Sequence, residues 1–218
     1  MYVGLKMLKK FVTATPKTLV KDARRLLEEQ RLWMLLVMEG DRLVGYVRLE
    51  DIMAALPSIM TTLEKHELNY LLSKLTVEKI IRKDITSVSP TMDIESAAKI
   101  MHDKNLAGLA VVDDDTGKLL GYINRSVMLE VLVEEMGLLA GGKRIVFEVA
   151  DRPGVIHEVS GIIAQKGVSI ISTGTFFHEN RRMVVIRVAT EDESPIAAAL
   201  QERGYKLVTA ADFVGEWL

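Results

Sequence analysis

Few positions in this chain have the residue types and spacing for chemistry. Gly137-Leu-Leu-Ala-Gly-Gly142-Lys143 matches most of a phosphate-cradling loop, but Arg144 stands where that motif needs Ser or Thr. The apolar pattern also puts a helix before it and a strand after it, the reverse of what the motif requires. His66, His102, His157 and His178 have no mutual metal-ligand spacing, and His157-Glu158 lacks the second His of a zinc-binding helix. Zero cysteines remove disulfides, thiolate nucleophiles and cysteine-ligated metal clusters together. No Gly-x-Ser-x-Gly elbow occurs. With no nucleophile, base and orienting acid in view, the expectation is a protein that is not an enzyme, with no metal and no obligatory cofactor.

The chain has 218 residues, 49% hydrophobic and 27% charged, apolar enough for packed cores and long enough for more than one domain. With 28 Lys and Arg against 30 Asp and Glu, there is no bulk positive field for a phosphate backbone, so nucleic acid is not an expected partner. The apolar runs, such as 34–38, fall far short of the roughly 20 residues that cross a bilayer. Lys6, Lys9 and Lys10 are not followed by the apolar core of a signal peptide. The expected location is the cytoplasm, with no membrane partner. The 11 methionines are scattered and read as core filler.

The elements that position these residues form a repeat. Thr13-Ala-Thr-Pro16-Lys-Thr-Leu-Val-Lys-Asp-Ala23 matches Ser87-Val-Ser-Pro90-Thr-Met-Asp-Ile-Glu-Ser-Ala97 at an offset of 74, and Arg42-Leu-Val-Gly45-Tyr-Val47 matches Lys118-Leu-Leu-Gly121-Tyr-Ile123 at 76. The second copy has the longer turn, Asp113-Asp-Asp-Thr-Gly117 against Glu39-Gly-Asp41. Leu19, Ala23, Leu26 and Leu27, and in copy two Ile94, Ala97, Ala98 and Met101, recur at helical spacing. Apolar runs 34–38 with 43–47, and 109–112 with 119–123, predict hairpins. Helices from about Asp51 and about Ser126 close each unit, giving βαββα twice over 1–56 and 77–136, with a helical linker at 57–76 suggested by Leu63, Tyr70, Leu71, Leu72 and Leu75.

Gly137, Gly141 and Gly142 then interrupt both periodicities and predict a hinge at 137–143. From 144 to 218 the pattern reads strand (144–150), helix (154–166), hairpin (168–177 with 183–189), helix and strand (206–210), with Ser194 as N-cap, Pro195 first in the helix and Gly204 closing it. The order βαββαβ is ferredoxin-like, so the fold class is α/β (α+β).

Val77-Glu-Lys-Ile-Ile, Ser89-Pro90, the Ala-Gly-Leu-Ala-Val-Val-Asp run ending at Asp113 and the two Gly-Tyr-hydrophobic endings make each copy resemble a CBS domain, and the tandem a CBS pair. The resemblance implies an adenosine-type effector, an adenine nucleotide (AMP, ADP or ATP) or S-adenosylmethionine. In that family the last strand ends Gly-hydrophobic-x-Thr-x-x-Asp, the Asp accepting both ribose hydroxyls and the Thr meeting phosphate. Copy one reads Gly45-Tyr-Val-Arg48-Leu-Glu-Asp51: Asp51 is in place and Arg48, replacing Thr, can hold phosphate bidentately. Asp51 can equally cap the closing helix, and the two roles are compatible. Copy two has Val127 in place of the Asp, which cannot accept a hydroxyl and leaves Asn124 to reach a phosphate. The family's middle-strand Pro is Leu36 and Ala110 here. In CBS pairs the start of one copy completes the cleft of the other, which implies that Lys83, Asp84 and Ile85 flank a ligand held by Asp51 and Arg48; otherwise Arg82 and Lys83 are a solvated basic pair.

Asp151-Arg-Pro-Gly-Val-Ile156 with Ile162-Ile-Ala-Gln-Lys-Gly-Val-Ser-Ile170 resembles an ACT domain, in which effectors sit between two domains near the Pro-Gly turn. Asp151 and Ser169 stand where amino-acid-binding relatives have Asn. Asp151 can take an ammonium group, and the N–H groups of Gly154, Val155 and Ile156 a carboxylate; alternatively Asp151 only caps the helix and the domain only dimerises. A CBS pair followed by ACT resembles the AcuB type of acetoin-utilisation protein. The expectation is a homodimeric cytoplasmic regulator that senses small-molecule effectors, an adenosine derivative and an amino acid, and acts on an unidentified metabolic protein. The alternative is an assembly module with degenerate clefts.

Overall fold

Alternating apolar residues on either side of a short turn build the same three-stranded sheet twice. In copy one, β1 (Thr13–Ala14) runs parallel to β2 (Met34–Glu39), which pairs antiparallel with β3 (Arg42–Arg48). In copy two, β4 (Ser87–Val88), β5 (Gly108–Val112) and β6 (Leu119–Asn124) repeat this order and sense. A parallel pair needs a crossover, supplied by helices at Val20–Glu29 and Ile94–Asp103. Val20, Ala23 and Leu27, and in copy two Ile94, Ala97 and Met101, are their buried stripes. Asp93 caps the second, accepting from the Ser96 N–H at 2.7 Å; Leu19, at the matching position, has no side chain to do so. Numbered in chain order, the helices of this region are α1 (Val3–Lys6), α2 (Val20–Glu29), α3 (Leu49–Ala55), α4 (Ile94–Asp103) and α5 (Arg125–Glu135). The computed structural model describes residues 1–55, 74–150 and 152–217, so the linker helix expected at 57–76 lies almost wholly outside the described residues.

The two copies exchange their entry segments. Residues 77–82 follow the linker and read as the start of copy two, but Val77 is fully buried in the copy-one core with Ala14, Leu27 and Ile52, and its N–H reaches the Thr18 carbonyl at 2.8 Å. Arg82 and Tyr46 exchange both backbone hydrogen bonds, at 2.9 and 3.0 Å. Leu8 and Tyr122 do the same at 2.8 and 3.0 Å, while Val3 and Gly4 donate to Met92 and Pro90 of copy two. This close approach explains the Gly-Tyr endings. A Cβ on Gly45 would lie 2.5 Å from the Arg82 carbonyl oxygen, and one on Gly121 would lie 2.6 Å from Sδ of Met7.

The chain divides into two compact units, Met1–Leu129 and Glu130–Leu218. In the second, β7 (Lys143–Val149), α6 (Val155–Gln165), β8 (Ile170–His178), β9 (Arg181–Val188), α7 (Ser194–Glu202) and β10 (Lys206–Leu207) follow in order, and α8 (Val214–Trp217) comes last. The sheet order is β10-β7-β9-β8, antiparallel throughout, as in a ferredoxin-like βαββαβ fold. Phe147, Val159, Ile163, Ile186, Ile196 and Leu200 are at its centre. Ser194 is the first residue of α7 rather than its cap, and the Asp192 carboxylate takes its N–H at 2.9 Å. The stretch 137–143 is tied to the sheet: Ser172 and Arg187 donate to the Met136 carbonyl at 2.8 and 3.1 Å, and Arg187 reaches the Gly141 and Gly142 carbonyls at 3.3 Å.

Gly45→Ala should therefore destabilise the protein by about 1–3 kcal/mol through overpacking against backbone. Gly121→Ala, meeting a movable Met7 side chain first, should cost less. Urea unfolding checks both; equal midpoints for the two variants would contradict the exchanged-segment geometry.

Candidate ligand-binding cleft

Strand alternation and register place the side chains that could meet a ligand. Met34 pairs with Arg48 and Leu36 with Tyr46 across β2 and β3, so these four share one face. Gly108 pairs with Asn124 and Ala110 with Tyr122 in copy two. These faces meet over an apolar layer of Met34, Leu36, Tyr46, Ala110 and Tyr122. Beside it opens a cavity of about 570 Å³, a size suited to a small-molecule ligand. Its apolar wall includes Trp33, Leu36, Tyr46 and Ile85, and its polar groups include Arg48, Glu50, Asp84, Thr86, Asn105 and Arg125.

The pseudo-symmetric cleft is shut. The offset of 74 puts Trp33-Met34 opposite Ala107-Gly108 and Phe11 opposite Ile85, so the bulkier residues fall on one side. Phe11 lies 6.0 Å from the Tyr122 ring, centroid to centroid, and the gap left beside Met34 and Leu36 is too small for water. Burial pushes the Tyr122 hydroxyl pKa up, and that hydroxyl is buried without a hydrogen-bond partner among the described residues. The hydroxyl of Tyr46 is also raised, by burial and then by the Asp84 charge beside it.

Asp51 is only 11% exposed at its side chain and is saturated by two arginines. The Arg48 backbone N–H and Nε donate to Oδ2 at 3.0 and 3.2 Å, and Arg48 Nη2 to Oδ1 at 3.3 Å. Arg82 adds Nε and Nη2 to Oδ1 at 2.9 and 2.7 Å. Arg48 also pairs with Glu50. Burial alone would raise the Asp51 carboxyl, but the hydrogen bonds from Arg82 and Arg48 outweigh it and hold it at about 2. Because α3 begins at Leu49, the bond to the Arg48 N–H is the N3-to-N-cap half of a capping box. Copy two uses the other half: Asn124, 8% exposed, accepts from the Val127 N–H at 3.0 Å.

Of the residues singled out by sequence, Arg48, Asp84 and Ile85 line the cavity. Asp51 stands behind Arg48 in the arginine pair, Lys83 is not among the lining residues, and Asn124 is spent on its helix cap. Trp33, Thr86, Asn105 and Arg125 line the cavity without having been singled out; the only trace of the opening in sequence is the small pair Ala107-Gly108. In the second unit Gly154, Val155 and Ile156 line a separate cavity of about 320 Å³ together with Arg152 and Arg182. Ser169 is exposed and not among its lining residues, and Asp151 lies outside the described residues. Arg152 forks onto Glu158 at 2.7 and 2.8 Å, and the Tyr205 hydroxyl donates to the same carboxylate at 2.7 Å; Arg152 and then Tyr205 hold Glu158 down at about 2. Among the described residues no group of three or more acidic or imidazole side chains could hold a metal ion, and no helix is long and apolar enough to cross a membrane.

The sequence profile of the CBS domain matches residues 3–58 and 77–134, and that of the ACT domain matches 143–204. Among curated relatives, Methanocaldococcus jannaschii protein MJ1232 is 26% identical over 130 residues, covering 60% of this chain and 39% of its own. The inosine-5'-monophosphate dehydrogenase of Korarchaeum cryptofilum is 24% identical over 207 residues, covering 94% and 40%. The chain thus spans about two fifths of the length of these relatives. Among solved structures, the Vibrio cholerae protein assigned as acetoin utilization protein AcuB superposes with a TM-score of 0.54 at 21% identity, covering 66% of this chain and 98% of its own. CBSX2 of Arabidopsis thaliana, solved in complex with AMP, superposes at 0.50 with 28% identity, covering 61% and 97%.

The depressed Asp51 carboxyl contributes stability that is full above its unfolded value of 3.8 and lost as pH falls toward about 2. The contribution is on the order of 2 kcal/mol. The stability gap between wild type and Asp51→Asn, followed by urea unfolding from pH 6 down to pH ~2, should shrink over that window; a gap independent of pH would show that the arginine pair does not hold the charge.

Proposed function

Because the chain belongs to the CBS-domain family, carrying a CBS pair followed by an ACT domain, we propose that it is a cytoplasmic ligand-sensing regulatory protein rather than an enzyme. Its CBS pair takes one adenosine-type ligand, AMP, ADP, ATP or S-adenosylmethionine. CBS and ACT domains are regulatory modules. The observation that carries the reading is the open cleft, where an apolar wall able to cover a base adjoins Arg48, a guanidinium suited to phosphate. The AMP complex of CBSX2, at 28% identity, supports the ligand class. A ligand in this cleft would touch both copies and shift the protein's state by its differential affinity for the two states.

The ACT domain, on this proposal, dimerises and takes an amino acid at the α6 N-terminus, with Asp151 on the ammonium group and the N–H groups of Gly154 to Ile156 on the carboxylate. Support for a homodimer comes from β8, the outer strand of its sheet, where Phe176 and Phe177 are exposed, and from exposed Leu129 and Leu132 on α5. The regulated partner would be a metabolic protein. A second reading, an assembly module without ligand, is favoured by the closed second cleft and by the saturation of Asp51.

Titration calorimetry with adenine nucleotides and S-adenosylmethionine separates these readings. One site per chain, abolished by Ala107→Trp, which fills the cleft, is the expected result; two equal sites, or binding untouched by that substitution, would refute it. In the same protein, a common amino acid should raise the melting temperature by mass action and lose that effect in Asp151→Ala; no response to any amino acid would leave the ACT domain as a dimerisation element.

Light scattering at micromolar concentration should give twice the 24.3 kDa chain mass. A stable monomer would overturn the dimer.

A further inference from the structure

Asp51 presents a carboxylate with about four acceptor sites, and five donors of Arg48 and Arg82 already converge on it. It therefore has no acceptor left for a ribose diol. The two arginines differ in what holds them. Arg82 is pinned by its main chain, through the exchanged bonds to Tyr46, so only its side chain is free to leave. Arg48, 31% exposed at its side chain, lines the cavity. The pair has no counterpart in the closed cleft: at the matching positions Asp51 becomes Val127 and Arg82 becomes Leu8. Both members of the ion pair are thus apolar together in copy two, as expected if the Asp51 carboxylate, 11% exposed, is not tolerated without its arginine.

Resting on the adenosine-ligand reading above and narrowing it to AMP, ADP and ATP over S-adenosylmethionine, we propose that the Arg82 guanidinium is a built-in competitor for Asp51, so that the cleft accepts a ribose ligand only when that ligand also carries a phosphate to take up the displaced arginine. A neutral diol exchanged for a guanidinium keeps hydrogen bonds to the ionised carboxylate but forfeits the opposite charge and its fork of two parallel N–H donors. It also leaves the Arg82 guanidinium, 40% exposed at its side chain, without its carboxylate partner. A phosphate supplies the missing anion and accepts the planar fork bidentately. Arg82 thereby sets specificity for phosphorylated over unphosphorylated nucleosides, at a position outside the set of cavity-lining residues.

Calorimetric titration of AMP and of adenosine into wild type, Arg82→Ala and Arg82→Lys tests this. In wild type AMP should bind more tightly than adenosine by on the order of tenfold to a hundredfold. In Arg82→Ala the two affinities should converge to within about threefold, chiefly because adenosine gains access to the freed carboxylate. Arg82→Lys, which keeps the charge and loses the fork, should fall between, and stands in should the alanine variant fail to fold by circular dichroism. Adenosine binding no better to Arg82→Ala than to wild type, or an AMP preference that survives the substitution, overturns the competition while leaving the cleft assignment standing. Binding of neither ligand to any form overturns the adenosine reading and this inference with it.

Discussion

The reciprocal backbone pairing of Arg82 with Tyr46 and of Leu8 with Tyr122 is the constraint from which the first unit follows. Each pairing takes the segment that enters one copy and lays it beside the last strand of the other. The glycine before each tyrosine is what allows the approach, since backbone or a packed methionine fills the space of its missing Cβ. Once Arg82 is fixed in this way, Asp84, Ile85 and Thr86 are delivered to the wall of the cleft, and the Arg82 side chain falls on Asp51 at 2.7 Å. The cleft, the ion pair and the buried contact of Val77 with copy one are consequences of one strand exchange.

A symmetric framework does not give symmetric clefts, because the two copies differ in side-chain volume where the sheets meet. Copy two contributes Ala107, Gly108 and Ala110 at positions where copy one has Trp33, Met34 and Leu36. The small set leaves the cavity beside Arg48; the large set, joined by Phe11 and Tyr122, fills the equivalent space. Gly108 cannot grow without penalty either, since its Cβ would run into the Tyr122 ring. The buried phenol that closes one cleft thus keeps the wall of the other small.

Elements set by local periodicity were legible in the sequence: both hairpins fall within a residue or two of their expected bounds, and the repeat offset carries over to the paired strands. Non-local features were not legible in periodicity, and the approach of residues 83–85 to Arg48 entered only through the resemblance to CBS pairs. Residues 77–82 read as part of copy two because sequence adjacency cannot reveal an exchange, and Val77 has the same apolar character in either core. Asp51 was legible both as a ribose acceptor and as a cap. The cap geometry is present, but its partner Arg82 is 31 positions away, beyond any spacing rule. Asn124 stands where the family signature has its phosphate-meeting Thr, yet a polar side chain at a helix start is first claimed by the backbone N–H groups it can satisfy. The glycines of 137–143 did mark a break in periodicity, at positive φ for Gly137, Gly141 and Gly142; what periodicity could not carry is that Arg187, far along the chain, donates to the Gly141 and Gly142 carbonyls, and Ser172 to that of Met136 just before them.

The position of Asp51 in α3 bears on how a filled cleft would be felt elsewhere. Its bond to the Arg48 N–H belongs to the helix start, whereas its bonds to Arg82 cross to the exchanged segment. These are separable: a ligand that drew Arg82 away would leave the cap intact, so α3 would keep its first turn. The Tyr46 backbone bonds would likewise keep Arg82 in the sheet. What would change is the charge balance at the junction, where Asp51 is now shared by two guanidiniums and Glu50 also pairs with Arg48. A phosphate entering there would add negative charge beside Glu50 and Asp84, making the two arginines the groups that reconcile ligand and protein. On the reading proposed above, a response to ligand would start as an electrostatic exchange within a preformed scaffold, with the backbone pairings that define the cleft left in place.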